Sequence, residues 1–189
     1  VISKNLAVHS PSAQGSSGGT GVAVTCGCMD ICRSIRKLVI LGSSSTANST
    51  DGSDPLFSGV SLTPSNGTTI STLTFQVTGV KDGNKEILSV NGQDLPMQNG
   101  YSSTVGDVTY TVTESPAGSG NFTVTVTDST HPGFSATDAN AIVNGVSYSN
   151  TAVPPTAGDR GVTLKSFTDM DSSGNPVATT TANLASTTN

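Results

Sequence analysis

Three cysteines, Cys26, Cys28 and Cys32, stand close together in the pattern C-x-C-x3-C. Three soft thiolates at that spacing can close on one metal ion, but a fourth ligand is missing and the spacing fits no standard zinc or iron–sulfur pattern. His9 or a cysteine of a neighbouring copy would have to complete the shell. In an oxidising compartment the same odd count gives one internal disulfide, with the third thiol free or bridged to another chain. Cys26–Cys32 and Cys28–Cys32 are sterically feasible; Cys26–Cys28 is strained. Disulfide chemistry is the leading reading, ahead of metal ligation and plain free thiols. Farther along, Asp169-x-Asp171-x-x-Gly174-Asn175 resembles the start of a calcium loop, with Asp169, Asp171 and Asn175 as oxygen ligands. The downstream bidentate Glu of an EF-hand is absent, and a polar hairpin turn is the leading reading, ahead of calcium.

Residues suited to catalysis are few. His9 and His131 are the only histidines, and His131 lies in a Thr-His-Pro-Gly turn. Neither has a nucleophile and an orienting acid nearby in sequence. Glu86 and Glu114 are the only glutamates, both in strand-like sequence. A paired-carboxylate hydrolase would have to rest on them. The expectation is therefore not an enzyme. Asn48, Asn66 and Asn121 head glycosylation sequons, which carry meaning only in a secreted archaeal or eukaryotic protein.

Composition points the same way. Only 11% of the 189 residues are charged, 33% are hydrophobic, and there are 28 serines and 28 threonines. Low charge with abundant hydroxyls suits a secreted or cell-surface protein, and β-branched Thr fits a pleated, half-solvated strand. The net charge of −5 leaves no basic patch to steer the chain to nucleic acid. The longest apolar run, Leu38-Val39-Ile40-Leu41, is far too short for a transmembrane helix. The chain begins at Val1 without Met, which leads one to expect a processed, exported form.

The elements that would position these residues are mostly strands. Leu73, Phe75 and Val77 alternate with Thr and Gln. Val108, Tyr110 and Val112 alternate with Thr, as do Phe122, Val124 and Val126. Period-2 patterning buries one face and wets the other. Strands are expected near 57–63, 70–80, 85–90, 107–114, 120–128, 145–150, 160–168 and 177–186. Between them lie turn residues that tolerate positive φ, such as Asn91-Gly92 and Ser173-Gly174-Asn175. One short helix is expected within 134–144. Ser135 to Asp138 resembles a capping box, Ala139, Ile142 and Val143 give an apolar face, and Gly145 ends it. The fold class expected for 55–189 is an all-β, Ig-like antiparallel β-sandwich with one short helix.

Residues 1–54 differ. Ser10–Thr20 and Ser43–Asp54 are Gly/Ser-rich and, taken alone, read as linkers. Between them, 22–41 reads as strand–turn–helix or as two strands around the cysteines. This arm has too little apolar content to fold by itself, so its expected partner is another copy of the same protein. Val22, Val24, Leu38, Val39, Ile40 and Leu41 are the residues expected to make that contact. Through Leu41 the arm carries Lys4, Arg33, Arg36 and Lys37 against Asp30, so the rest of the chain holds a net −8 of the total −5. The asymmetry favours contact between unlike surfaces of two copies.

Three sequence blocks carry a family resemblance. They are Phe75-Gln-Val-Thr-Gly-Val-Lys-Asp-Gly-Asn-Lys-Glu86 with Leu88-Ser-Val-Asn-Gly92, then Asn140-Ala-Ile-Val-Asn-Gly-Val-Ser-Tyr-Ser-Asn-Thr151, then Pro155-Thr-Ala-Gly-Asp-Arg-Gly-Val-Thr-Leu164. With Thr109-Tyr-Thr-Val112, residues about 57–185 resemble the Ig-like or cadherin-like repeat of large bacterial surface adhesins. The resemblance implies an extracellular, non-catalytic spacer or adhesive module, and related surface proteins often use calcium at domain junctions. Such repeats usually occur in many copies, whereas this chain holds one. The leading functional expectation is a self-assembling filament or surface-layer subunit whose arm packs on, or donates a strand to, a neighbour. The alternatives are a monomeric adhesin recognising a glycan or protein of a host or cell surface, with Tyr101 and Phe134 as its loop aromatics, and a metal-bearing or electron-transfer filament using the cysteines.

Overall fold

The computed structural model describes residues 41–44, 46–47, 55–64, 69–129 and 133–188. All of them lie in the unit Ser34–Asn189. The strands are β1 (Leu41–Ser44), β2 (Thr46–Ala47), β3 (Phe57–Ser61), β4 (Thr69–Thr78), β5 (Glu86–Val90), β6 (Gln93–Pro96), β7 (Tyr101–Val105), β8 (Val108–Glu114), β9 (Phe122–Asp128), β10 (Ser147–Asn150), β11 (Arg160–Met170) and β12 (Pro176–Thr188). One α-helix, α1 (Ala136–Asn144), lies between β9 and β10, and one 3₁₀ turn, Gly83–Lys85, precedes β5.

Alternation decides which face of each strand is buried. Leu73, Phe75 and Val77 of β4, Val124 and Val126 of β9, and Val112 of β8 are fully buried, while the threonines between them are half-exposed or exposed. These strands belong to a seven-stranded sheet ordered β2-β12-β11-β4-β9-β8-β7. A three-stranded sheet, β10-β5-β6, and a two-stranded one, β1-β3, complete a β-sandwich-like arrangement. Every pairing is antiparallel except the short contact of β2 with the end of β12. Leu88, Val90, Leu95 and Tyr148 of the smaller sheet share one core with the large sheet, β3 and α1. Each large apolar side chain taken out of water there contributes roughly 1.5–3 kcal/mol.

Two irregularities shift the alternation, one in β11 and one in β4, where Ser71 is the extra residue between the Thr168–Thr72 and Asp169–Ile70 pairs. Register slips between Leu164 and Ser166, so β11 buries Val162 and Leu164 and then Phe167 and Asp169. A bulge of this kind inserts one residue and exchanges the faces beyond it.

The helix forms as its caps dictate. The Ser135 hydroxyl accepts from the Asp138 N–H at 3.1 Å and donates to the Asp138 carboxylate at 2.7 Å. Ala139, Ile142 and Val143 face the core, and the Gly145 N–H returns to the Ala141 carbonyl. On the same helix Asn140 and Asn144 act on β3. Asn140 Oδ1 accepts from the Leu62 N–H at 2.6 Å, and the Asn144 amide both accepts from and donates to the main chain of Val60. The two amides thus complete backbone bonds that a neighbouring strand would otherwise supply.

The structure departs from the sequence expectation in three places. Strands β6 and β7 were not expected, because Gln93–Pro96 and Tyr101–Val105 show too little apolar alternation. The serine-rich stretch read as a linker, Ser43–Asp54, holds the end of β1 and all of β2. Leu41, an expected arm residue, starts β1 and pairs with Ser61 of its own chain.

Candidate functional site

Five polar side chains, those of Asp82, Glu86, Tyr148, Thr156 and Arg160, converge on one point of the sandwich. Glu86, the first residue of β5, is 0% exposed, and Arg160, the first residue of β11, is 4% exposed. Glu86 Oε1 accepts from the N–H groups of Lys81 (2.9 Å) and Asp82 (2.8 Å) and from Arg160 Nη2 (2.7 Å). Its Oε2 accepts from Arg160 Nε (3.1 Å) and from the Tyr148 hydroxyl. The guanidinium is therefore gripped side-on by one carboxylate, the geometry in which arginine pairs most strongly. Arg160 Nη1 donates to the carbonyls of Thr156 (2.9 Å) and Gly158.

Asp82 forms the outer layer. Its carboxylate lies 3.5 Å from Arg160 Nη2. It accepts from the Thr156 hydroxyl, from Thr156 N–H at 2.8 Å and from Asn150 Nδ2 at 2.7 Å. Those donors, the Thr156 hydroxyl first, hold its pKa down at about 2, from an ordinary 3.8. Hydrogen bonding to Glu86 raises the Arg160 pKa further above its ordinary value. Lys81 Nζ donates to the Ala157 carbonyl at 2.6 Å, and the Thr151 N–H donates to Lys85 O at 2.8 Å.

Local sequence explains why these segments meet. Gly79 has φ +78°, and a Cβ there would press on the Asp159 carbonyl, so only glycine lets segment 155–160 lie this close. The 3₁₀ turn then aims the Lys81 and Asp82 N–H groups at Glu86. The result is a clasp joining 81–86, 148–151 and 156–160, which are the polar parts of the three resemblance blocks. Chemically it holds: both Glu86 oxygens and all three guanidinium nitrogens are engaged within the chain. A buried pair is strongly destabilising once one partner is removed.

The expected site residues fall elsewhere. Val22, Val24, Cys26, Cys28, Cys32, Leu38, Val39 and Ile40 lie outside the described residues, as do His9 and His131. Asp169 is buried in β11. Asp171 shapes the β11–β12 hairpin, its Oδ1 accepting from Ser173 N–H (2.8 Å) and Asn175 N–H (2.9 Å). These donors, Asn175 N–H foremost, lower its pKa. Its Oδ1 thus closes an Asx-type turn within the hairpin. Among the described residues no three His, Cys, Asp or Glu side chains gather as a metal centre requires.

Glu114 is tied to its own β8–β9 hairpin. The Gly118 and Gly120 N–H groups lower its pKa, and Gly120 donates at 2.9 Å. Beside it lies an open depression of about 270 Å³ bordered by Lys81, Asn99 and Phe122. Of the two aromatics considered for loop recognition, Phe134 is buried and bridges Ile70, and Tyr101 is half-buried at the start of β7. Among the described residues no helix is long and apolar enough to cross a membrane.

Of the clasp residues, only Glu86 was singled out by its chemistry, as one of the two carboxylates a hydrolase would need; Asp82, Tyr148, Thr156 and Arg160 were not. One signal was present: Arg160 is the only arginine after Arg36 in a chain poor in charge. No family model matches this chain, and no curated protein or solved structure is significantly similar to it.

Proposed function

We propose that this protein is an extracellular structural subunit, secreted or held at a cell surface, that assembles with copies of itself into a filament or surface layer. The observation that carries this reading is the clasp. The described side chains best equipped for chemistry are turned inward to hold the fold, in a chain rich in threonine and serine. A spacer or subunit needs rigidity there, and a closed ionic network provides it. That the three resemblance blocks meet in this network supports an Ig-like or cadherin-like module of the surface-adhesin kind.

In this reading the N-terminal arm makes the contact between copies. Its net positive charge opposes the −8 of the remaining chain. A head-to-tail contact that does not close on itself extends into a filament. Cys26, Cys28 and Cys32 lock or decorate the junction.

Electron microscopy of the purified protein, with and without reductant, tests the proposal. Filaments or sheets are the expected result, and their loss on reduction would assign the cysteines to bridges between copies. A uniformly monomeric protein under both conditions would overturn it.

A further inference from the structure

One edge of the large sheet stands out. β11 pairs with β12 along its length, whereas β2 covers the other side only at Thr187 and Thr188. Among the described residues nothing pairs with the outer edge of β12 from Val177 to Ala185. This stretch carries no charge and no proline. The other open edges are short: β6 carries Asp94 and ends at Pro96, β10 has four residues and β7 five. Natural proteins blunt long edges with charge, proline or bulges, because an open row of N–H and C=O groups recruits another strand.

β12 has two such bulges, one at Val177 and one at Ala182–Asn183 opposite Lys165, where Asn183 has φ +51°. Between them Ala178–Thr181 is a regular four-residue edge, paired behind with Ser166–Asp169. There Ala178 and Thr180 are half-buried while Thr179 and Thr181 are exposed. The inner face of the sheet therefore ends at small side chains that a further strand would cover.

The N-terminal segment is already delivered to this edge, since β2 belongs to it and lies on β12. Residues 1–40 precede it. Within them Val22-Ala23-Val24-Thr25 is a four-residue alternating stretch, whereas the apolar run 38–41 ends in β1 on β3. Taking self-assembly as its basis, we infer that Ala178–Thr181 of β12 is the acceptor edge for Val22–Thr25 of a second copy. Main-chain bonds hold the added strand, and Val22 and Val24 extend the row of Ala178 and Thr180 over the core.

Two full-length variants test this, with size read by sedimentation velocity over a range of concentrations. Thr179→Lys/Thr181→Lys blocks the acceptor, and Val22→Lys/Val24→Lys blocks the donor. Wild type should form oligomers, and each variant alone should assemble at least tenfold more weakly. An equimolar mixture should form a capped dimer, because it unites one intact donor with one intact edge. Thermal melting should find the acceptor variant folded like wild type. Hydrogen exchange in assembled wild type should be at least tenfold slower at Ala178–Thr181 than in the monomer. Wild-type assembly that survives in the acceptor variant, a mixture without dimer, or unprotected amides would overturn the acceptor assignment and leave self-assembly standing. A wild type monomeric at every concentration would overturn both.

Discussion

The clasp and the β12 edge treat charge in opposite ways. At the clasp, Glu86 and Arg160 are buried with Asp82 over them, and each polar atom meets a partner within the chain. Along Val177–Ala185 there is no charged residue, and backbone groups face outward from a sheet of threonine and alanine. A chain with so few charges has placed several of them where they fix three segments together, and none along Val177–Ala185 of β12. The difference shows that charge here serves internal registry, while the edge is left open to hydrogen bonding.

The strongest way to break that comparison is Arg160→Leu. It strands the Glu86 carboxylate in the core, still bonded by the Tyr148 hydroxyl and the Lys81 and Asp82 N–H groups but without its counter-charge. Urea unfolding should show a loss of about 3–5 kcal/mol, the cost of removing one partner from a buried pair. A loss below ~1 kcal/mol would mean the clasp contributes little. Gly79→Ala attacks the same region through the backbone. At φ +78° with the Asp159 carbonyl in the way, it should cost about 1–3 kcal/mol.

Asp82→Asn should have a smaller effect, since Asp82 is 13% exposed and only 3.5 Å from Arg160 at its nearest. Its effect depends on pH. The folded pKa lies below the ordinary value, so the carboxylate stabilises the fold fully above about pH 4, and that contribution is lost as pH falls through about 2. Thermal melting should show wild type above Asp82→Asn at pH 6, with the gap closing between pH 4 and 2. A gap that widens on acidification would reverse the sign and exclude this role. The least effect on stability belongs to the edge. Thr179→Lys on exposed β12 should leave unfolding within about 0.5 kcal/mol of wild type. A larger loss would show that the edge is part of the folding core.

Much of the sandwich was legible before any coordinates. The period-2 runs at 73–77, 108–112 and 122–126 locate three central strands, because strands buried on one face must alternate. The helix was legible from Ser135, Ala139, Ile142, Val143 and Gly145 because capping and face periodicity are local. Strands β6 and β7 were not legible: Gln93–Pro96 and Tyr101–Val105 sit at sheet edges, where packing no longer enforces a pattern. The hairpin turn at Asp171 was legible too, because Asp171, Ser173, Gly174 and Asn175 are local turn formers.

The amino-acid order by itself determined the strand and helix positions, the low charge and the turn chemistry, because these depend on neighbours a few residues apart. Only the tertiary structure decided that Glu86 and Arg160, 74 residues apart, share one buried pair. It also decided that Asn144 completes the backbone of β3, and that β12 rather than another strand forms the long open edge. These are long-range pairings, set by how sheets stack and which strand lies outermost, and no local pattern encodes them.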